Sequence, residues 1–184
     1  MRSKSCATPG QIAIAKVEAA RDVIGDGVSE YEVALAVIDG GIPRAAQRLG
    51  AQPADRFISP RIHKLQILQS GHDTCIAHRR SSLRRIEHGD PVYLCLCGIA
   101  NFKHYKLGVD RRLFVGTVSD VHAGAYDLTL RAQQGVLGAI HPGAVAEAVH
   151  SAADAVYGEA GVAPGYRTGR SIGYLYGHGV CGGR

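Results

Sequence analysis

No apolar stretch in this chain approaches membrane-spanning length. The longest, Val92 to Ala100, contains two cysteines and falls well below the roughly 20 residues a helix needs to cross a bilayer, so no membrane partner is expected. A signal-peptide core is also missing. Pro9, Gly10 and Gln11 follow the basic start of Arg2 and Lys4, and the short run Ile12 to Ala15 gives way at once to Lys16 and Glu18. Cysteines are few, with five in 184 residues, an odd count without the density of a disulfide framework. Reduced thiols and a cytoplasmic location are therefore expected. Cys95 and Cys97 fall on one side of a strand, where a bond between them would be strained.

The charge balance is modest, at +5, and its densest part is Arg79, Arg80, Arg84 and Arg85. No aromatic residues interleave these arginines, as single-stranded nucleic-acid platforms require, so a solvated hairpin is expected and no nucleic-acid partner. A length of 184 residues suits one domain with a sizeable core.

Local patterning gives an α+β order of helices, strands, helices and a strand. Ile14, Val17, Ala20, Val23 and Ile24 recur at helical spacing, predicting a first helix that ends near Gly25 to Gly27. Ser29-Glu30-Tyr31-Glu32 is a capping box that starts a second helix at Ser29. That helix is expected to be broken or turned by Gly40, Gly41 and Pro43. Leu65, Ile67 and Leu68 lead into a short strand ending at Ser70-Gly71. Val92 to Cys97 lacks polar alternation and reads as a strand buried on both faces. Leu113 to Val115, stopped by Gly116, reads as its partner. Ser119 caps a long helix, and Pro142-Gly143 opens another in which Val145, Ala148, Val149, Ala152, Ala153 and Val156 form an apolar stripe. Ile24-Gly25-Asp26-Gly27-Val28 with Val33 matches Ile140-His141-Pro142-Gly143-Ala144 with Val149, a weak internal repeat at two helix junctions.

Nine histidines are present, and His72, Cys75 and His78 recur every third residue upstream of Cys95 and Cys97. This mix of imidazole and thiol is compatible with zinc, although the spacing matches no recognised finger. A zinc-stabilised module is one alternative reading.

Three segments in order, Ser70-Gly71-His72-Asp73-Thr74 with His78, Gly89-Asp90-Pro91-Val92, and Gly169-Arg170-Ser171-Ile172-Gly173, resemble the creatinase/prolidase/aminopeptidase P (M24, pita-bread) family from the first helix to about residue 173. The resemblance implies a pita-bread fold, in which pseudo-twofold helices pack on an antiparallel sheet, here lacking the last strands. It makes residues 1–184 a single incomplete domain with an aberrant tail over 174–184, for which a frameshift, premature stop or truncated gene is the hypothesis. It also implies that His78 is the acid/base group and contacts substrate. Metal-dependent members carry two bridging aspartates where this chain has Cys95 and Gly108, and a histidine where it has Arg170; the alternative register through His178 lies too late in the chain. Glycine offers no ligand, and a lone thiolate suits manganese or cobalt poorly. Asp110 is close by, but is expected to face the site only after a register shift. No metal and no other cofactor are therefore expected.

What remains resembles the metal-free creatinase branch, which hydrolyses a C–N bond with positioned acid/base groups. Arg111, Arg167 and Arg170 are the candidates for binding a substrate carboxylate through a guanidinium fork. The expected partners are a small peptide or amide substrate and a second copy of the chain in a homodimer. The expected function is a creatinase-like or Xaa-Pro hydrolase, possessing no dinuclear metal centre and inactive if the truncation is real. The alternative is a non-catalytic peptide- or protein-binding pseudoenzyme on the same scaffold.

Overall fold

The structure, a computed structural model, describes residues 2–60, 66–76, 78–97 and 108–163, with the side chains of 2–7, 66 and 97 left aside. The described residues up to Thr117 form one compact unit, and those from Val118 onward form another.

In the first unit two helices, α1 (Arg2–Val23) and α2 (Glu30–Gly50), pack side by side and cover a sheet of three antiparallel strands: β1 (Gln66–Ser70), β2 (Pro91–Cys97) and β3 (Gly108–Phe114), in that spatial order. Leu68, Val92, Leu94 and Leu96 from the sheet meet Ala20, Val33 and Val37 from the helices, and Ile86 closes the cluster. Burying these side chains, the valines, leucines and isoleucine at roughly 1.5–3 kcal/mol each, dominates the favourable side of folding here.

The N-terminus of α2 follows the sequence: the Ser29 amide donates to the Glu32 carboxylate at 2.8 Å, the reciprocal arm of the capping box. Its end does not. The helix continues through Gly40, Gly41 and Pro43 to Gly50, because the two glycines are contact points with α1. A Cβ at Gly40 would lie 2.5 Å from the Cβ of Ala19, and one at Gly41 would lie 2.0 Å from Cε of Lys16. In α1 the buried positions are Pro9, Ile12, Ala13, Lys16 and Ala20, whereas Ile14 and Val23 face outward. Of the expected stripe, Val17, Ala20 and Ile24 pack in or against the core and Ile14 and Val23 do not, and a lysine lies in the helix seam.

The second unit is a helical hairpin of α3 (Asp120–Ala139) and α4 (Ala146–Glu159). Ser119 caps α3, its Oγ accepting from the amide of His122 at 3.3 Å. Ala132 and Ala153 are buried, and Val145, expected on the buried stripe, is exposed at the start of α4. The internal repeat is visible in the backbone. Gly27 (φ 79) and Gly143 (φ 86) take the same left-handed conformation at the two equivalent helix junctions, where a residue with a Cβ would be strained.

Candidate functional site

Alternation along the strands divides their residues between two faces. Leu68 and Ser70 of β1, Val92, Leu94 and Leu96 of β2, and Val109 and Leu113 of β3 share the helix-facing side, because Leu68 opposes Leu94, Ser70 opposes Val92, Val109 opposes Leu96 and Leu113 opposes Val92. The other face carries Gln69, Tyr93, Cys95, Gly108 and Asp110, since Gln69 opposes Tyr93, Asp110 opposes Cys95 and Gly108 opposes Cys97. Directly opposed residues of an antiparallel pair project on the same side. Asp110 therefore stands across from Cys95 with no register shift, correcting the expectation. Arg112 belongs to this face too, its guanidinium 5.8 Å from the centre of the Tyr93 ring.

Gln69 draws the next loop over that face. Its Nε2 donates to the carbonyl of Asp73 at 3.1 Å and to the carbonyl of Ile76. The segment Gly71–Cys75 is a 3-10 turn, closed in addition by Thr74 Oγ1 donating to the Gly71 carbonyl at 2.9 Å. His78 follows, exposed and in the left-handed region at φ 58, the sole non-glycine there among the described residues.

On the other side of β1 lies a buried carboxylate. Glu30, the first residue of α2, is 0% exposed. Its Oε1 accepts from the Ser70 amide at 2.8 Å and hydroxyl at 2.7 Å, and its Oε2 from the Ser82 amide at 2.8 Å and hydroxyl at 2.7 Å. Arg79 completes the shell with a two-pronged fork, Nη2 to Oε1 at 2.7 Å and Nη1 to Oε2 at 3.0 Å. Nη2 of Arg79 also lies 3.1 Å from Asp73 Oδ2. Burial pushes the Glu30 carboxyl upward, but the hydrogen bonds from Arg79, Ser70 and Ser82 outweigh it and hold the group at about 2. The same bond to Glu30 raises the Arg79 guanidinium above its usual value. Nearby, Arg84 binds Asp90 at 2.5 Å and Ser70 Oγ at 2.8 Å.

This arrangement corrects the reading of the arginine cluster as a solvated hairpin. Arg79 and Arg84 are partly buried and paired with the carboxylates of Glu30, Asp73 and Asp90, and Arg85 donates to the Gly27 carbonyl at 2.7 Å; Arg80 and Arg85 make no ion pair among the described residues. Sequence reading missed Glu30 and Gln69. Glu30 was visible only as an interior letter of the capping box, and its partners come from 40, 49 and 52 residues away.

The other candidates are placed as follows. Arg111 opposes Leu94, so it projects on the helix side of β3, away from the Cys95 face, and donates to the carbonyl of Asp110 at 2.7 Å. No hydrogen bond or ion pair joins it to His78 among the described residues. Arg167, Arg170, His178 and the tail from 174 to 184 lie outside the described residues. Cys95, expected as a reduced thiol, is disulfide-bonded, with its partner outside the described side chains, while Cys75 is free and exposed. Among the described residues no group of three or more His, Cys, Asp or Glu is arranged to hold a metal ion, and none of their helices is long and apolar enough to cross a membrane.

Comparison with known proteins agrees with this geometry. The agropine synthesis cyclase of Rhizobium rhizogenes is 33% identical over 162 residues, covering 85% of this chain and 40% of the cyclase. An Xaa-Pro dipeptidase of Pyrococcus furiosus is 29% identical over 161 residues, covering 81% of this chain and 44% of the dipeptidase. Among solved structures, the Xaa-Pro dipeptidase from Bacillus anthracis superimposes with a TM-score of 0.74 at 27% identity, over 89% of this chain and 42% of that one. The chain thus spans less than half the length of these relatives. The helix pair over an antiparallel sheet is the pita-bread arrangement of such dipeptidases. The profile described as metallopeptidase family M24 matches residues 7–182, nearly the whole sequence, and the chain belongs to that family.

Proposed function

We propose that the protein hydrolyses a C–N bond in an Xaa-Pro peptide or a small amide or amidino compound by acid/base chemistry, with His78 moving the proton. The observation that carries this reading is the placement of His78: exposed, left-handed, and on a loop that Gln69 ties to the face bearing Cys95, Gly108 and Asp110. Its imidazole takes a proton from water as the water oxygen bonds to the substrate carbonyl carbon. It returns the proton to the nitrogen as the C–N bond breaks. Arg167 and Arg170 are the proposed carboxylate binders. Arg111 would have to reach around the edge of β3 to join them, and is the weakest of the three candidates.

The donor set on this face does not fit a dinuclear centre of hard divalent ions. Gly108 has no side chain, Cys95 is a disulfide sulfur, and Asp110 alone supplies a carboxylate. The match over 7–182 supports reading the two units as parts of one domain, and the resemblance to creatinase and prolidase supports a cytoplasmic homodimer as the working form.

The test is turnover of Xaa-Pro dipeptides and small amidino compounds, with and without chelator. Chelator-insensitive hydrolysis that His78→Ala abolishes supports the proposal; turnover that persists in His78→Ala overturns it. The replaced carboxylates at Cys95 and Gly108 favour a second reading, a non-catalytic peptide- or protein-binding pseudoenzyme. Saturable binding of the same peptides without turnover would select it.

A further inference from the structure

The residues on either side of His78 are anchored, and the anchors come from different layers of the first unit. Before it, the carbonyl of Ile76 accepts from Gln69, a β1 side chain that is almost fully buried. After it, the Arg79 guanidinium is locked on Glu30 of α2 by two bonds of 2.7 and 3.0 Å and reaches Asp73 at 3.1 Å. A two-pronged ion pair fixes direction as well as distance. The chain is thus pinned two residues before and one residue after His78, and His78 itself is in the left-handed region, which residues with a Cβ adopt only when the surroundings impose it.

We infer that Glu30 is a positioning residue for His78, acting through Arg79 to hold the left-handed backbone from which the imidazole projects. This rests on the role proposed for His78, but its test reads His78 directly. The carboxylate is not merely completing a helix cap: that is done by Glu32, which accepts from the Ser29 amide. Glu30 spends all its acceptors on Ser70, Ser82 and Arg79. Losing the fork would free the segment after Ile76 while leaving β1 and the Gln69 contacts in place.

The experiment uses the full chain with isotopically labelled histidine, comparing wild type with Glu30→Gln and, as the control for general loss of stability, Glu32→Gln. Expected is a shift of the His78 backbone and ring resonances toward random-coil values in Glu30→Gln, with His141 and His150 unmoved. Glu32→Gln should lower the melting temperature and leave His78 in place. Where Glu30→Gln does not fold, Arg79→Lys, which keeps the charge but loses the fork, carries the same comparison. Unchanged His78 resonances in the Glu30 or Arg79 variant, or equal displacement in Glu32→Gln, overturn the inference. Where turnover is measurable, kcat should fall at little change in KM. If wild type shows no turnover, the proposed reaction fails while the resonances still decide the positioning role.

Discussion

Replacing Glu30 with glutamine should remove much of the acid sensitivity of the first unit. The carboxyl is held at about 2 against its usual 4.5, so the folded state favours its ionised form. A group with a depressed folded value contributes stability above its unfolded value, and that stability is lost as pH falls through the window from about 4.5 to about 2. At roughly 1.4 kcal/mol per pH unit the linked stability is about 3 kcal/mol. Wild type should therefore lose about this much between pH 5 and pH 2 through Glu30 alone. Glu30→Gln starts lower at pH 7, because Arg79 is left with Asp73 as its one remaining counter-ion, a loss that approaches the cost of about 3–5 kcal/mol for breaking a buried pair. Its stability should then depend far less on pH across the same window. Urea unfolding followed by circular dichroism at a series of pH values measures both slopes. Parallel slopes for the two proteins would refute the reasoning, since they would mean the carboxylate gains nothing from its six hydrogen-bond donors.

Three further outcomes follow from the same geometry. Burial lowers Lys16 from 10.5 to about 8, so Lys16→Met should stabilise the protein at pH 7 by up to about 3 kcal/mol; wild-type stability should rise between pH 8 and 10.5, where the unfolded chain binds the extra proton, and the variant should lack this rise in denaturant titrations. Gly40→Ala would drive a methyl to 2.5 Å from the Cβ of Ala19 and should cost about 1–3 kcal/mol by overpacking the helix seam, read from the unfolding midpoint. His78→Gly relieves the left-handed backbone at φ 58 and should raise stability by about 1 kcal/mol while abolishing any hydrolysis, a split that calorimetry and the turnover assay would show together.

The parts of the fold legible in the sequence were those written locally. The cap at Ser29, the unbroken apolar run of β2 and the stop at Gly116 each depend on neighbours a few residues apart, and each appears where expected. Gly40 and Gly41 misled because a glycine in a helix interior is costly in isolation, and only the approach of α1 reveals why it is tolerated. Asp110 misled because its face depends on pairing across strands rather than on its own segment. His78 could be singled out through resemblance, but Glu30 could not. A buried carboxylate is identified by partners, and all three of its partners lie beyond any local window.

The paired turns at Gly27 and Gly143 let one junction serve as a physical comparison for the other. Both junctions carry an isoleucine, a left-handed glycine and a valine, at Ile24, Gly27 and Val33 and again at Ile140, Gly143 and Val149. Ile24 packs against the sheet core, whereas Ile140 at the matching place is 58% exposed. Where the first copy has Glu30, the second has Ala146. The bend can be made without the carboxylate, so what Glu30 holds is not the bend but Ser70, Ser82 and Arg79.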